Sequence, residues 1–143
     1  MASIVEHIRS LESYVERSGA RLVRAALPES VHGRVFGDLI VLRVDLDPQQ
    51  ELLTLVHELA HWLAHRGAPA HQPFTVFEYE AEAVEAIVMA RLGLPWPLSG
   101  ECHLDDYTPT DDLLWASVTR VIWASSCICD ALGVGAGRRA SQP

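Results

Sequence analysis

The sequence is short of three things: cysteine, basic charge and long apolar runs. Its three cysteines are Cys102, Cys127 and Cys129. An odd number closes no disulfide framework, and Cys127 and Cys129 point to roughly opposite sides of any helix. Free thiols in a reducing compartment are therefore expected. Lys and Arg total 11 against 19 Asp and Glu, for a net charge of −8. Such an acidic surface repels phosphates, which argues against a nucleic-acid partner for this chain. Arg138–Arg139 is the only basic cluster and is too short to make a patch. No apolar run approaches the ~20 residues of a membrane span. Glu6, Arg9 and Glu12 interrupt the stretch where an export signal needs an apolar core. The expectation is a soluble, cytoplasmic protein with no membrane partner.

What is present is ordinary globular material, 49% hydrophobic and 21% charged over 143 residues. A chain of that length can bury a real core, so a bound metal would serve function rather than staple the fold. One domain is expected over residues 1–132, followed by a disordered Gly/Ala/Ser tail over 133–143.

Ile4, Ile8, Leu11, Tyr14 and Val15 recur at helical spacing, with a Ser3/Glu6 capping box before them and Gly19 as the stop. Residues 20–37 are mixed, punctuated by Pro28, Gly33 and Gly37. Residues 38–46 are rich in Leu, Ile and Val and predict a strand. A helix follows over 48–65, with proline at its first position. A third is predicted over about 76–92, ending at Gly93, and a fourth over about 111–132. In the fourth, Leu113, Leu114, Val118, Val121, Ile122 and Ile128 read as core, and Trp115 and Trp123 as core or interface.

The second helix carries the chemistry, in His57-Glu58-Leu59-Ala60-His61. Two histidines four apart share one helical face, with Cβ atoms about 5–6 Å apart. Both rings can reach one cation at the ~2.0–2.1 Å of a zinc–nitrogen bond. Glu58, next to His57, is poorly placed to ligate but well placed to take a proton from a water at the metal. A solvated polar stripe would also give this pattern. The neighbours Leu55, Val56, Leu59 and Leu63 argue otherwise, because two histidines and a glutamate on so apolar a helix are costly unless paired. His65 continues the series, but about 6 Å further along the axis, and reads as a surface histidine near the helix end. His71 lies in the following loop and could reach inward.

A catalytic zinc usually takes a third protein ligand. The third helix offers Glu78, Glu80, Glu82 and Glu85. Glu78 and Glu82 share a face, with Glu85 further along it, whereas Glu80 lies about 200° from Glu78. The most economical arrangement puts Glu78 on the metal and Glu82 one turn on, accepting the free N–H of a ligand histidine. Glu82 is the main competitor as ligand and Glu80 a weaker one. Tyr107 could stabilise an oxyanion, although a half-buried loop tyrosine would look the same; His103 carries the same ambiguity.

The stretch 54–65, TLVHELAHWLAH, resembles the corresponding helix of the ImmA/IrrE-type metallopeptidases and of the related ArdC-type antirestriction proteins. Glu78-Tyr-Glu-Ala-Glu-Ala-Val resembles the E-x-E-A-E-S-V pattern of ArdC-like relatives, as does the later Leu92-Gly93-Leu94. The likeness covers about residues 30–130. It implies an α+β fold: a small zincin-like domain, mostly helical, with a short antiparallel sheet preceding the H-E-x-x-H helix. It also implies His57 and His61 as zinc ligands, Glu58 as catalytic base, and Glu78 or Glu82 as the acidic ligand, with Glu78 favoured. The expected activity is hydrolysis of a peptide bond in a specific protein partner, using one zinc ion. The alternative is a non-catalytic, antirestriction-like or regulatory binding protein on the same scaffold.

Overall fold

The computed structural model describes residues 1–67, 74–97 and 103–135. Among the described residues are four α-helices, a single 3-10 turn at Leu104–Asp106 and one three-stranded sheet, a small α+β arrangement. Helix α1, Ile4–Arg17, opens with the Ser3/Glu6 capping box. Gly19 then turns the chain with a φ of 91°, a left-handed angle that suits glycine. Strands β1 (Arg21–Ala25), β2 (Gly33–Phe36) and β3 (Leu39–Arg43) follow.

The sheet departs from the expected antiparallel one. Its order is β1-β3-β2, with β3 parallel to β1 and antiparallel to β2. The chain passes from β1 to the far edge, makes β2, and returns through Gly37–Asp38 to insert β3 between the two. Two strands thus lie inside the segment that reads as turns. They have only 5 and 4 residues, none of them fully buried, and β2 alone strictly alternates half-buried with exposed positions. Central β3 is legible because its inner residues Ile40, Val41 and Leu42 are all buried.

Helix α2, Pro48–His65, begins at an Asp47/Gln50 capping box with proline in its first turn. It packs against α1, β2, β3 and the two later helices, α3 (Phe74–Leu92) and α4 (Asp111–Ala131). Leu52, Leu55, Val56 and Leu59 carry its core face, meeting Leu11, Ile40, Leu42, Val84, Val88 and Ile128. Leu55 has no exposed surface. Leu55→Ala should cost about 2–5 kcal/mol of stability, measured by denaturant unfolding.

Helix α4 corrects the sequence reading in part. It buries Ser117, Ala124, Ser125, Ile128 and Cys129, mostly small residues that permit close approach to its neighbours. Of the residues read as core, Ile128 is buried and Val121 packs against the core, whereas Leu114 and Ile122 face out with the two tryptophans: Trp115 is 70% exposed, Trp123 52% and Ile122 58%. Beyond α4, Gly133 and Val134 donate backbone N–H bonds to Asp130 and Cys129. These two residues cap the helix. Residues 136–143 of the expected disordered tail lie outside the described residues, as do His71 and Cys102.

Candidate metal centre

Helices α2 and α3 run antiparallel where they touch. Phe77 and Glu80 meet His65, Glu78 meets His61, and Glu85 meets His57. Moving forward along α3 therefore moves backward along α2, so successive turns of α3 meet the histidine series in reverse order.

His57, His61 and Glu78 converge. The two Nε2 atoms are 3.0 Å apart, and the Glu78 oxygens lie 3.3 Å from His57 Nε2 and 2.9 Å from His61 Nε2. Donors bound at ~2.0–2.1 Å to one tetrahedral zinc stand about 3.3 Å apart, so these separations are close to those of a ligand set. Among the described residues, this is the one group of three His, Cys, Asp or Glu side chains able to hold a cation together. The electrostatics point the same way. Burial opposes charging His57, but hydrogen bonds to Glu78 and Glu85 outweigh it and push the imidazole up to about 10. His61, with one carboxylate and with His57 and His65 beside it, is pushed down, chiefly by burial. Glu78 is held far below the usual carboxylate range because its two histidine bonds outweigh burial. A carboxylate facing two imidazole nitrogens is an arrangement that a shared positive charge stabilises. The donor set, two imidazole nitrogens and a carboxylate, fits zinc.

Glu58 sits beside this group, only 8% exposed. Its carboxyl is pushed up to about 7, first by burial; Glu78 and Glu85 add to this, while His57 and Arg34 work against it. It lies under β2. A Cβ added at Gly33 would stand 2.8 Å from both Glu58 Cγ and Thr54 Cγ2. Glycine is needed there for space. Gly33→Ala should cost about 1–3 kcal/mol by overpacking and displace the Glu58 carboxylate. Thermal unfolding alongside cleavage assays would show both effects.

The group opens on a cleft of ≈ 870 Å³, walled on one side by residues 30–35 and on the other by Glu78, Glu82 and Glu85. Strand β2 is an edge strand, paired only with β3 among the described residues.

Glu82 does not receive the N–H of a ligand histidine. It holds His103 instead, accepting from the backbone N at 2.9 Å and bonding Nδ1 at 2.6 Å. The residue against His57 Nδ1 is Glu85, steadied by Trp96 Nε1 at 2.8 Å. Seven residues return to within about 20° on a helix, so Glu85 lies closer to the Glu78 face than Glu82 does. The antiparallel run of α3 then carries it to His57. Glu80 faces away from the metal group, as its angle implies, and bonds Ser117 and Arg120. His65 is not a surface residue: its side chain is 7% exposed, bonded to Glu80 and stacked on Phe77. Tyr107 pairs its hydroxyl with Ser117, rests its ring on Tyr79 and does not line the cleft, so an oxyanion role finds no support. His103 does line it.

A family model, Peptidase_M78 (IrrE N-terminal-like domain), matches residues 15–96. The chain belongs to this family. The IrrE-like match contains His57, Glu58, His61, Glu78 and Glu85, and it stops before α4, which brings Ser117 and Arg120. Comparison with curated proteins and with solved structures finds no match.

Proposed function

We propose that this IrrE-like chain is a zinc-dependent peptidase on a zincin-like fold, with His57, His61 and Glu78 as ligands and Glu58 as general base. The observation that carries the reading is the convergence of those three donors beside a buried carboxylate, on a cleft bordered by an edge strand. When bound, zinc supplies Lewis acidity that brings the pKa of a coordinated water towards 7.

The chain's own residues do the rest. Glu58 takes the proton of the attacking water and delivers it to the leaving amine as the C–N bond breaks. Glu85 accepts from His57 Nδ1 and so directs Nε2 at the metal. The outer edge of β2 offers backbone N–H and C=O groups to an extended peptide, which favours a peptide over a compact small molecule. The missing side chain at Gly33 lets Glu58 sit close under that edge. The reading extends to a protein or peptide substrate and a cytoplasmic setting, where the free thiols of Cys127 and Cys129 would stay reduced.

The test is a library of proteome-derived peptides incubated with zinc-loaded protein and read by mass spectrometry. New termini that vanish on adding a zinc chelator are the expected result. Tight zinc binding with no new termini would overturn the peptidase reading and favour the non-catalytic, antirestriction-like alternative.

A further inference from the structure

His61 and His57 are backed differently. A carboxylate, Glu85, meets His57 Nδ1 directly. Behind His61 stands another imidazole: His61 Nδ1 is 2.8 Å from His65 Nδ1, and His65 Nε2 is 2.9 Å from Glu80 Oε2. Glu80 is only 2% exposed, and it accepts from Ser117 Oγ at 2.7 Å and from Arg120 Nε and Nη2 at 2.8 and 2.6 Å. The ring of His65 is itself clamped, its centroid 4.2 Å from that of Phe77 and the planes 23° apart.

Donor and acceptor rules leave one consistent proton arrangement for neutral rings. Glu80, already receiving from Arg120 and Ser117, is an acceptor, so His65 Nε2 carries the hydrogen and donates to it. A neutral His65 then has a bare Nδ1. That atom can only accept, so His61 Nδ1 must be the donor. With its hydrogen on Nδ1, His61 presents a lone pair at Nε2, the atom that faces His57 and Glu78. The opposite tautomer of His65 would set a bare Nε2 against the carboxylate.

We propose that His65 and Glu80 are positioning residues that fix His61 in its metal-binding tautomer, with Ser117 and Arg120 of α4 anchoring the relay. This rests on the zinc-site reading above. It gives α4, outside the family match, a part in the metal centre, and it gives the third histidine of the 57-61-65 series a role away from the metal itself.

The test compares zinc affinity, by competition with a chromophoric chelator, among the parent, His65→Phe and His65→Asn. Phenylalanine keeps the stack on Phe77 and removes the acceptor; the asparagine amide oxygen replaces Nδ1 as acceptor. His65→Phe should bind zinc about 10–100-fold more weakly, the range for losing an outer partner of a ligand, and His65→Asn should recover most of that. Equal affinity in His65→Phe and the parent would overturn the inference while leaving the zinc site intact. Equal losses in both variants would mean that packing matters rather than the acceptor, and would also overturn it. A parent that binds no zinc would remove both this inference and the proposed function. One measurement needs no variant: long-range proton–nitrogen correlation spectra of the zinc-loaded parent should show hydrogen on His61 Nδ1 and His65 Nε2. Hydrogen on His65 Nδ1 with a bare Nε2 would contradict the relay.

Discussion

Glu58→Gln should bind one zinc ion per chain with the affinity of the parent and lose peptide cleavage by about 10²–10⁴-fold, the contribution of a positioned general base. The glutamine amide matches the carboxylate in size, so the close approach of β2 at Gly33 is preserved. It can accept a hydrogen bond but cannot take the proton of an attacking water. Glu58 is not one of the converging donors, so the metal should stay. Removing a carboxylate from a group that also holds Glu78 and Glu85 should, if anything, ease repulsion in the folded chain. The measurements are zinc content by elemental analysis and cleavage of the peptide library. A variant that cuts as fast as the parent would remove Glu58 from the mechanism.

His61→Ala should lose zinc outright, and cleavage with it. Two donors, His57 Nε2 and a Glu78 oxygen, would remain where the arrangement has three, and a catalytic zinc usually needs three protein ligands. The loss of affinity should therefore exceed the ~10–100-fold that accompanies loss of an outer partner. The fold should survive in the metal-free state, because the core of α2 is carried by Leu52, Leu55, Val56 and Leu59, all without exposed surface. Zinc titration followed by isothermal calorimetry, with the far-ultraviolet circular dichroism of the variant as control, checks both halves. Parent-like affinity in His61→Ala would place the metal elsewhere.

How much of this was legible in the sequence varies with the physics of each element. The helices were legible because their caps are local: Ser3 with Glu6, and Asp47 with Pro48, act within a few residues. Strands β1 and β2 were not. Four or five residues with one half-buried face give too little alternation to stand out, and their pairing depends on β3 inserting between them. At the site, His57, Glu58 and His61 could be read from one turn of helix. Helical angle leaves Glu78 and Glu82 on one face as competing ligands, and the structure brings Glu78 to those histidines. The outer partners needed the antiparallel packing of α2 on α3, which no single helix records. That packing gives Glu85 to His57 and sends Glu82 to His103. His65 reads as a surface residue in the sequence because its burial comes from Phe77 and Glu80 on another helix. The 57-61-65 spacing was the available signal; what it lacked was a reason for the third histidine to face inward.

The central claim is that one cation sits between His57, His61 and Glu78. Anomalous diffraction at the zinc edge from crystals of the zinc-loaded protein tests it most directly. A single peak is predicted about 2.0–2.1 Å from both Nε2 atoms and about 2.0–2.2 Å from a Glu78 oxygen. A peak held by Glu80 or Glu82 in place of Glu78, or no peak at these histidines, would contradict it.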